Sequence, residues 1–211
     1  MKYTTAAIAA ATMAVASAKD CNLPPISERV VPGDVFKIVA LPKVANEIEC
    51  APFQAKNNNL LIGADFQGAN CTSRTSRDYA SFVLNGQGLL FLNTGDTPDN
   101  FQTQQIFVDR SGMGQGQIQY TTGNAATIGK NQERGPFKIT EETSDLVFDN
   151  GNGVVTAFQA CPPYNGDKLA GWEVWLAGNP KPAGSEGCVE LNARAVKDDK
   201  VEACEYSVYK A

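Results

Sequence analysis

The sequence predicts an all-β fold: a single-domain antiparallel β-sandwich or barrel held by disulfides, with a β-trefoil as the alternative. Three observations predict it. Short runs of β-branched and aromatic residues recur between Gly, Asn, Asp and Pro, the usual punctuation of strands. Three pairs of such runs are joined by Asn-Gly or Gly-rich segments, where positive φ is tolerated, so each pair reads as a hairpin. Only the first residues show a helical period.

Residues 35–41 (VFKIVAL) form the first predicted strand and 60–62 (LLI) the second. The first hairpin joins 82–84 to 89–92 through Asn85-Gly86. The second joins 106–109 to 117–120 through a Gly-rich turn, and the third joins 146–149 to 154–158 through Asn150-Gly151-Asn152-Gly153. A strand over 172–176 (WEVWL) follows. Residues 188–195 put Val189, Leu191, Ala193 and Ala195 on one face, the period of two expected of a half-buried strand. A turn at 197–200 then returns the chain along 201–209 as a fourth hairpin. Residues 55–59, 93–103 and 130–134 read as solvated loops. The chain is long enough for one two-sheet core.

The N-terminus has the form of an export signal. Lys2 supplies a positive start, residues 6–15 are apolar and small, and Ala16-Ser17-Ala18 fits a signal-peptidase site. Residues 1–18 are therefore expected to be a signal peptide and 19–211 one secreted all-β domain. The apolar run is too short to span a bilayer, and residues 205–211 lack a lipid-anchor signal, so no membrane anchor is expected.

Six cysteines lie beyond that signal: Cys21, Cys50, Cys71, Cys161, Cys188 and Cys204. An even number in an exported chain reads as disulfides. A zinc site lacks both the close Cys spacing and any His. Fifteen pairings are possible for six cysteines. The local choice is Cys50–Cys71 and Cys161–Cys188, which leaves Cys21–Cys204 to tie the two ends. Cys188 with Cys204 would fall out of register in the hairpin expected at 197–200. Asn70-Cys71-Thr72 is a glycosylation sequon, so Asn70 is a candidate glycan acceptor.

Composition excludes more than it names. The formal net charge is −5 and the pI about 4.8, so no basic footprint for nucleic acid is present. There is no His, which removes Ser-His-Asp and Cys-His relays and zinc-protease motifs. No G-x-S-x-G elbow occurs. Residues 112–116 (GMGQG) are followed by a predicted strand, not the helix a dinucleotide site needs. Asp149-Asn150-Gly151-Asn152 lacks the further acids of a calcium loop. No metal or cofactor is implied.

What remains is carboxylate chemistry or binding. A glycosidase needs two acids across the scissile bond, one with a raised pKa. Asp65, Asp109, Asp149, Glu173 and Glu190 are the candidates. Asp109 and Asp149 each end an apolar strand before a Gly-rich turn, where Asp ordinarily hydrogen-bonds its own turn. Glu173 should face away from Trp172 and Val174. For binding, aromatic rings stack on sugars. Trp172 and Trp175 point to opposite faces of their strand, so at least one belongs to the core. With Tyr164 they are the candidate stacking residues.

A family resemblance rests on particular blocks. These are Ile106-Phe107-Val108-Asp109 with Ser111-Gly112, Gln119-Tyr120-Thr121, Gly135-Pro136-Phe137 and Phe148-Asp149 with its following Gly. Gln159-Ala160-Cys161-Pro162, Trp172-Glu173-Val174-Trp175-Leu176-Ala177 and Cys188 complete it. In this order the blocks, within roughly residues 104–196, resemble the fungal secreted family of PhiA-type cell-wall proteins and related IgE-binding allergens. The resemblance implies an extracellular or wall-associated protein with a structural or binding role and no catalytic residues. It also implies pairing of Cys161 with Cys188 and an N-terminal pair akin to Cys50 with Cys71. The expected partner is a cell-wall polysaccharide or another wall protein. Two alternatives stand: a carbohydrate-active enzyme using a carboxylate pair, and a free secreted effector or antigen that binds a host protein.

Overall fold

A computed structural model of the protein describes residues 21–26, 28–67, 69–72, 78–95, 104–122, 127–163, 166–167 and 170–206. The expected signal segment 1–18 and Tyr164 lie outside the described residues. In chain order the first strands are β1 (Val35–Pro42), β2 (Phe53–Lys56), β3 (Asn59–Ile62), β4 (Asn70–Cys71), β5 (Ser81–Leu84) and β6 (Leu90–Leu92). Next come β7 (Ile106–Asp109), β8 (Gln117–Tyr120), β9 (Gln132–Glu133), β10 (Phe137–Ile139) and β11 (Asp145–Asp149). The last are β12 (Val155–Thr156), β13 (Phe158–Cys161), β14 (Trp172–Leu176), β15 (Val189–Lys197) and β16 (Cys204–Glu205).

Fourteen of these strands form one sheet, ordered β6-β5-β1-β15-β13-β14-β3-β8-β7-β9, with β2 on β3 and the β10-β11-β12 group branching from β15. The sheet is antiparallel and curls into a half-barrel. Its two ends approach each other at an isolated bridge between Phe91 and Gln105. The all-β expectation holds. The three hairpins sit at separate places along one curled sheet, so the β-trefoil alternative falls.

Alternation sets the core. On β15, Leu191, Ala193 and Ala195 face inward at no more than 4% exposure, as their period of two requires. On β1 the inward set is Phe36, Ile38 and Ala40. Phe53, Phe82, Phe137, Phe148, Phe158, Tyr120 and Tyr206 fill the interior, each below 3% exposure. Phe137 and Phe148 are direct cross-strand partners and meet edge to face, 5.2 Å between ring centroids. The three expected hairpins form β5–β6, β7–β8 and β11–β12.

The expected fourth hairpin does not form. β15 pairs with β1 along most of its length, and its other flank is shared by β13 and β11, so it has no free edge. Residues beyond the turn instead reach β16, which pairs with β4. Asp198, read as a turn residue, is buried and accepts hydrogen bonds from Ser81 Oγ (2.9 Å) and Tyr79 OH (3.2 Å). The expected loop at 55–59 is a tight hairpin turn. Asn57 and Asn58 take φ of 51° and 66°, joining β2 to β3. Residues 130–134 contain β9. In the expected loop 93–103, residues 96–103 lie outside the described residues, and Asn93 is anchored through Nδ2 to the Glu202 carbonyl.

Two of the three expected disulfides are corrected. The bonds are Cys21–Cys50, Cys71–Cys204 and Cys161–Cys188. The reason lies in the β2–β3 hairpin. After β3 the chain doubles back along β2: Ala64 N–H donates to Gln54 Oε1, and the Ala55 N–H to Gln67 Oε1. Cys71 therefore emerges at the turn end of that hairpin, away from Cys50. There β16 presents Cys204 directly opposite it. Cys50, beside β1 through its N–H to the Ala40 carbonyl, meets the N-terminal Cys21 instead.

Candidate functional site

The rim of the half-barrel carries a cleft of ≈ 200 Å³ between two hairpin turns and the segment that follows β14. Its first wall is the Gly-rich turn after β7. Asp109 Oδ1 accepts the Ser111 N–H (2.9 Å), Ser111 Oγ accepts the Gly114 N–H (2.9 Å), and Gly116 N–H donates to the Asp109 carbonyl (2.7 Å). Gly114 is pressed against the aspartate; a Cβ there would fall 2.5 Å from Asp109 Cβ. The second wall is the turn after β11, where Asp149 Oδ1 accepts the Gly151 N–H (2.9 Å) and Asn150 Nδ2 donates to Thr156 Oγ1 (2.6 Å). The third wall runs from Leu176 to Asn179. Leu176 N–H donates to the Gly116 carbonyl, and Asn179 Nδ2 donates to Gln115 Oε1 (2.7 Å).

Arg110 spans the cleft. Its Nη1 donates to Asn150 Oδ1 at 2.9 Å and to Glu133 Oε2 at 3.4 Å. Its other N–H groups have no protein partner. The lining is one guanidinium, three amide side chains, one hydroxyl and backbone, with no carboxylate or nucleophile. Such a surface donates and accepts hydrogen bonds without offering proton-transfer or covalent chemistry. The blocks at Asp109 with Ser111-Gly112, at Phe148-Asp149 and at Leu176-Ala177 all end at this cleft. Arg110, Gln115, Thr156 and Asn179 were not legible as site residues, because polar turn residues carry no spacing signal. The Gly-rich turns were the one available hint.

The candidate acids are dispersed. For Asp109, burial raises the carboxyl pKa, but hydrogen bonds from Ser111 and Gln132 outweigh it and hold the value below the usual carboxylate range. The Lys138 ammonium, 2.9 Å from Asp149 Oδ2, and the Gly151 N–H hold Asp149 below it as well. Both therefore hold turns in their ionised form. Glu190 is ion-paired with Lys43. Asp65 is exposed. Glu173 faces away from Val174 as expected, and burial raises its pKa. Its cross-strand neighbours are Cys161 and Leu61, so no acid opposes it on either adjacent strand. Among the described residues, no group of three or more His, Cys, Asp or Glu is placed to hold a metal.

The tryptophans do point to opposite faces. Trp172 packs against the core, half-buried, and its Nε1 donates to Glu47 Oε1 at 3.1 Å. Trp175 is 2% exposed on the outward face, between Gln159 and Gln117. That burial leaves its ring no open face, so Trp172 is the one of the pair with accessible surface. Asn70 is exposed beside the Cys71–Cys204 disulfide.

A family model described as PhiA-like secreted protein matches residues 36–207. The match takes in β1 to β6 as well as the second half, where the resemblance was first legible. The cell wall protein phiA of Emericella nidulans is 36% identical, covering 98% of this chain and 100% of its own. That of Aspergillus fumigatus is 33% identical over 95% of this chain and 96% of its own. That of Arthroderma benhamiae is 30% identical over 95% and 98%. No solved structure matches the chain. The chain belongs to the PhiA-like secreted protein family and is a secreted protein of the cell wall.

Proposed function

We propose that the protein is a non-catalytic wall component that holds wall polysaccharide at the rim cleft. One observation carries this reading: the cleft is lined by amides, a hydroxyl and a guanidinium, while the two acids beside it, Asp109 and Asp149, are committed to their turns. Sugars present rings of hydroxyl groups, which amide and guanidinium groups pair with directly. The small volume, below the ~300–1,000 Å³ of drug-sized pockets, suits one sugar unit of a longer chain.

The test is incubation of the purified secreted protein with insoluble chitin, β-1,3-glucan and mannan. Depletion from solution and release of soluble sugar are measured together. The expected result is depletion by at least one polymer, no sugar release, and weaker depletion for Arg110→Ala and Asn179→Ala. Sugar release would overturn the non-catalytic reading. The raised pKa of Glu173 favours that second reading, of a carboxylate-based enzyme. In that case Glu173→Gln would abolish turnover.

A further inference from the structure

We propose that a second pocket, on the outward face of the β7–β8 hairpin, binds one neutral pyranose unit of a wall glycan. The pocket has a volume of ≈ 240 Å³, and Asn58, Gln119, Gln132, Thr122 and Thr127 surround Phe107 in it. None of its lining residues is charged, in a chain whose residues are 19% charged. A charge-free lining offers nothing to a phosphate, sulfate or uronate, and without carboxylates it offers nothing to a metal ion.

Its polar groups are held in place by the fold. Asn58 sits in the β2–β3 turn at φ 66°, and its Nδ2 donates to the Tyr120 carbonyl at 3.4 Å. Gln119 Nε2 donates to Asn59 Oδ1 at 3.1 Å. Gln132 is tied at both ends, its Nε2 to Asp109 Oδ2 (2.8 Å) and its Oε1 to the Gly129 N–H (2.7 Å). Asn58 Oδ1 and Gln119 Oε1 are left as oriented acceptors without a protein partner. The hydroxyls of Thr122 and Thr127 are also uncommitted. Phe107, the cross-strand partner of Gln119, forms an apolar floor at 8% exposure. Fixed acceptors, two adaptable hydroxyls and an apolar base match a sugar ring with its hydroxyl rim and C–H face. Because the amides are already positioned, little ordering entropy opposes binding.

The choice of wall glycans as probes rests on the binding reading above; the pocket does not depend on the rim cleft. The full secreted protein is titrated with laminaritetraose, chitotetraose and mannotetraose and followed by NMR. The expected result is saturable binding of at least one probe, with shifts centred on Asn58, Gln119 and Thr122. Thr122→Val and Gln119→Ala each weaken it about three- to tenfold, the effect of one lost hydrogen bond. Val44→Ser, at an exposed site elsewhere, leaves it unchanged. Thr122→Val is nearly isosteric and keeps the test valid should Gln119→Ala fail to fold. Saturable binding that both pocket variants leave intact would overturn the proposal, as would no binding of any probe. Depletion by insoluble polymer without tetrasaccharide binding would spare the wall-binding reading and sink this pocket. Tetrasaccharide binding without depletion would do the reverse.

Discussion

Cys71 and Cys204 stand directly opposite each other in the β4–β16 pair, their Cα atoms 4.0 Å apart, and their disulfide joins positions separated by 133 residues. The other two bonds span 29 and 27 residues. On the chain-entropy account the long loop contributes about 5 kcal/mol and each short one about 3.5 kcal/mol. The paired substitution Cys71→Ser with Cys204→Ser is therefore expected to lower denaturant stability more than Cys161→Ser with Cys188→Ser. An equal or smaller loss in urea titration would contradict this ranking.

Beyond that disulfide the chain enters the core at Tyr206, whose hydroxyl oxygen accepts the buried Ser81 N–H at 2.9 Å. Tyr206→Phe leaves that N–H without its acceptor while keeping the ring. The expected cost is about 1–3 kcal/mol, read from thermal or urea unfolding. A variant as stable as the parent would show that Ser81 finds another partner.

Asp109 bonds Ser111 through one oxygen and Gln132 through the other. Its lowered pKa means that the folded state favours the ionised form. Its contribution is thus complete above the ordinary aspartate range and is lost as pH falls through the folded pKa. Asp109→Asn is expected to cost about 1–2 kcal/mol at neutral pH, with the difference shrinking in acid. A pH-independent difference would place the effect in packing instead.

Glu173 has the opposite sign. Burial raises its pKa, so the folded state binds the proton more tightly than the unfolded chain does. The cost of the charged form is present above the folded pKa and is relieved as pH falls through it. Glu173→Gln is expected to raise the Tm at pH 7, with the gain fading as the pH approaches 4.5, the ordinary glutamate value. A lower Tm at pH 7 would mean that the carboxylate has a stabilising partner.

Gly114 has no room for a side chain, since an added Cβ would lie 2.5 Å from Asp109 Cβ, close to the backbone, where rotation gives little relief. Gly114→Ala is expected to cost about 1–3 kcal/mol and to weaken polysaccharide depletion through the displaced turn. Unchanged melting and unchanged depletion would remove this turn from the site.

What the sequence determined by itself was local. Alternating Val189, Leu191, Ala193 and Ala195 specified a half-buried strand, and the turns at Asn85-Gly86 and after Asp109 and Asp149 specified three hairpins. Strand period and turn chemistry act over a few residues and can be read in one dimension. Tertiary structure alone decided the rest. Whether residues 201–209 could return along β15 depended on β1, β13 and β11 already occupying its edges. Which cysteines met depended on a hairpin carrying Cys71 away from Cys50 to the tail strand. The rim cleft gathers Arg110, Asn150 and Asn179 from three separate segments, and the second pocket brings Asn58 to Gln119 across 61 positions. Those encounters are set by sheet order and competition for strand edges, quantities that belong to the whole chain and leave no periodic trace in any segment of it.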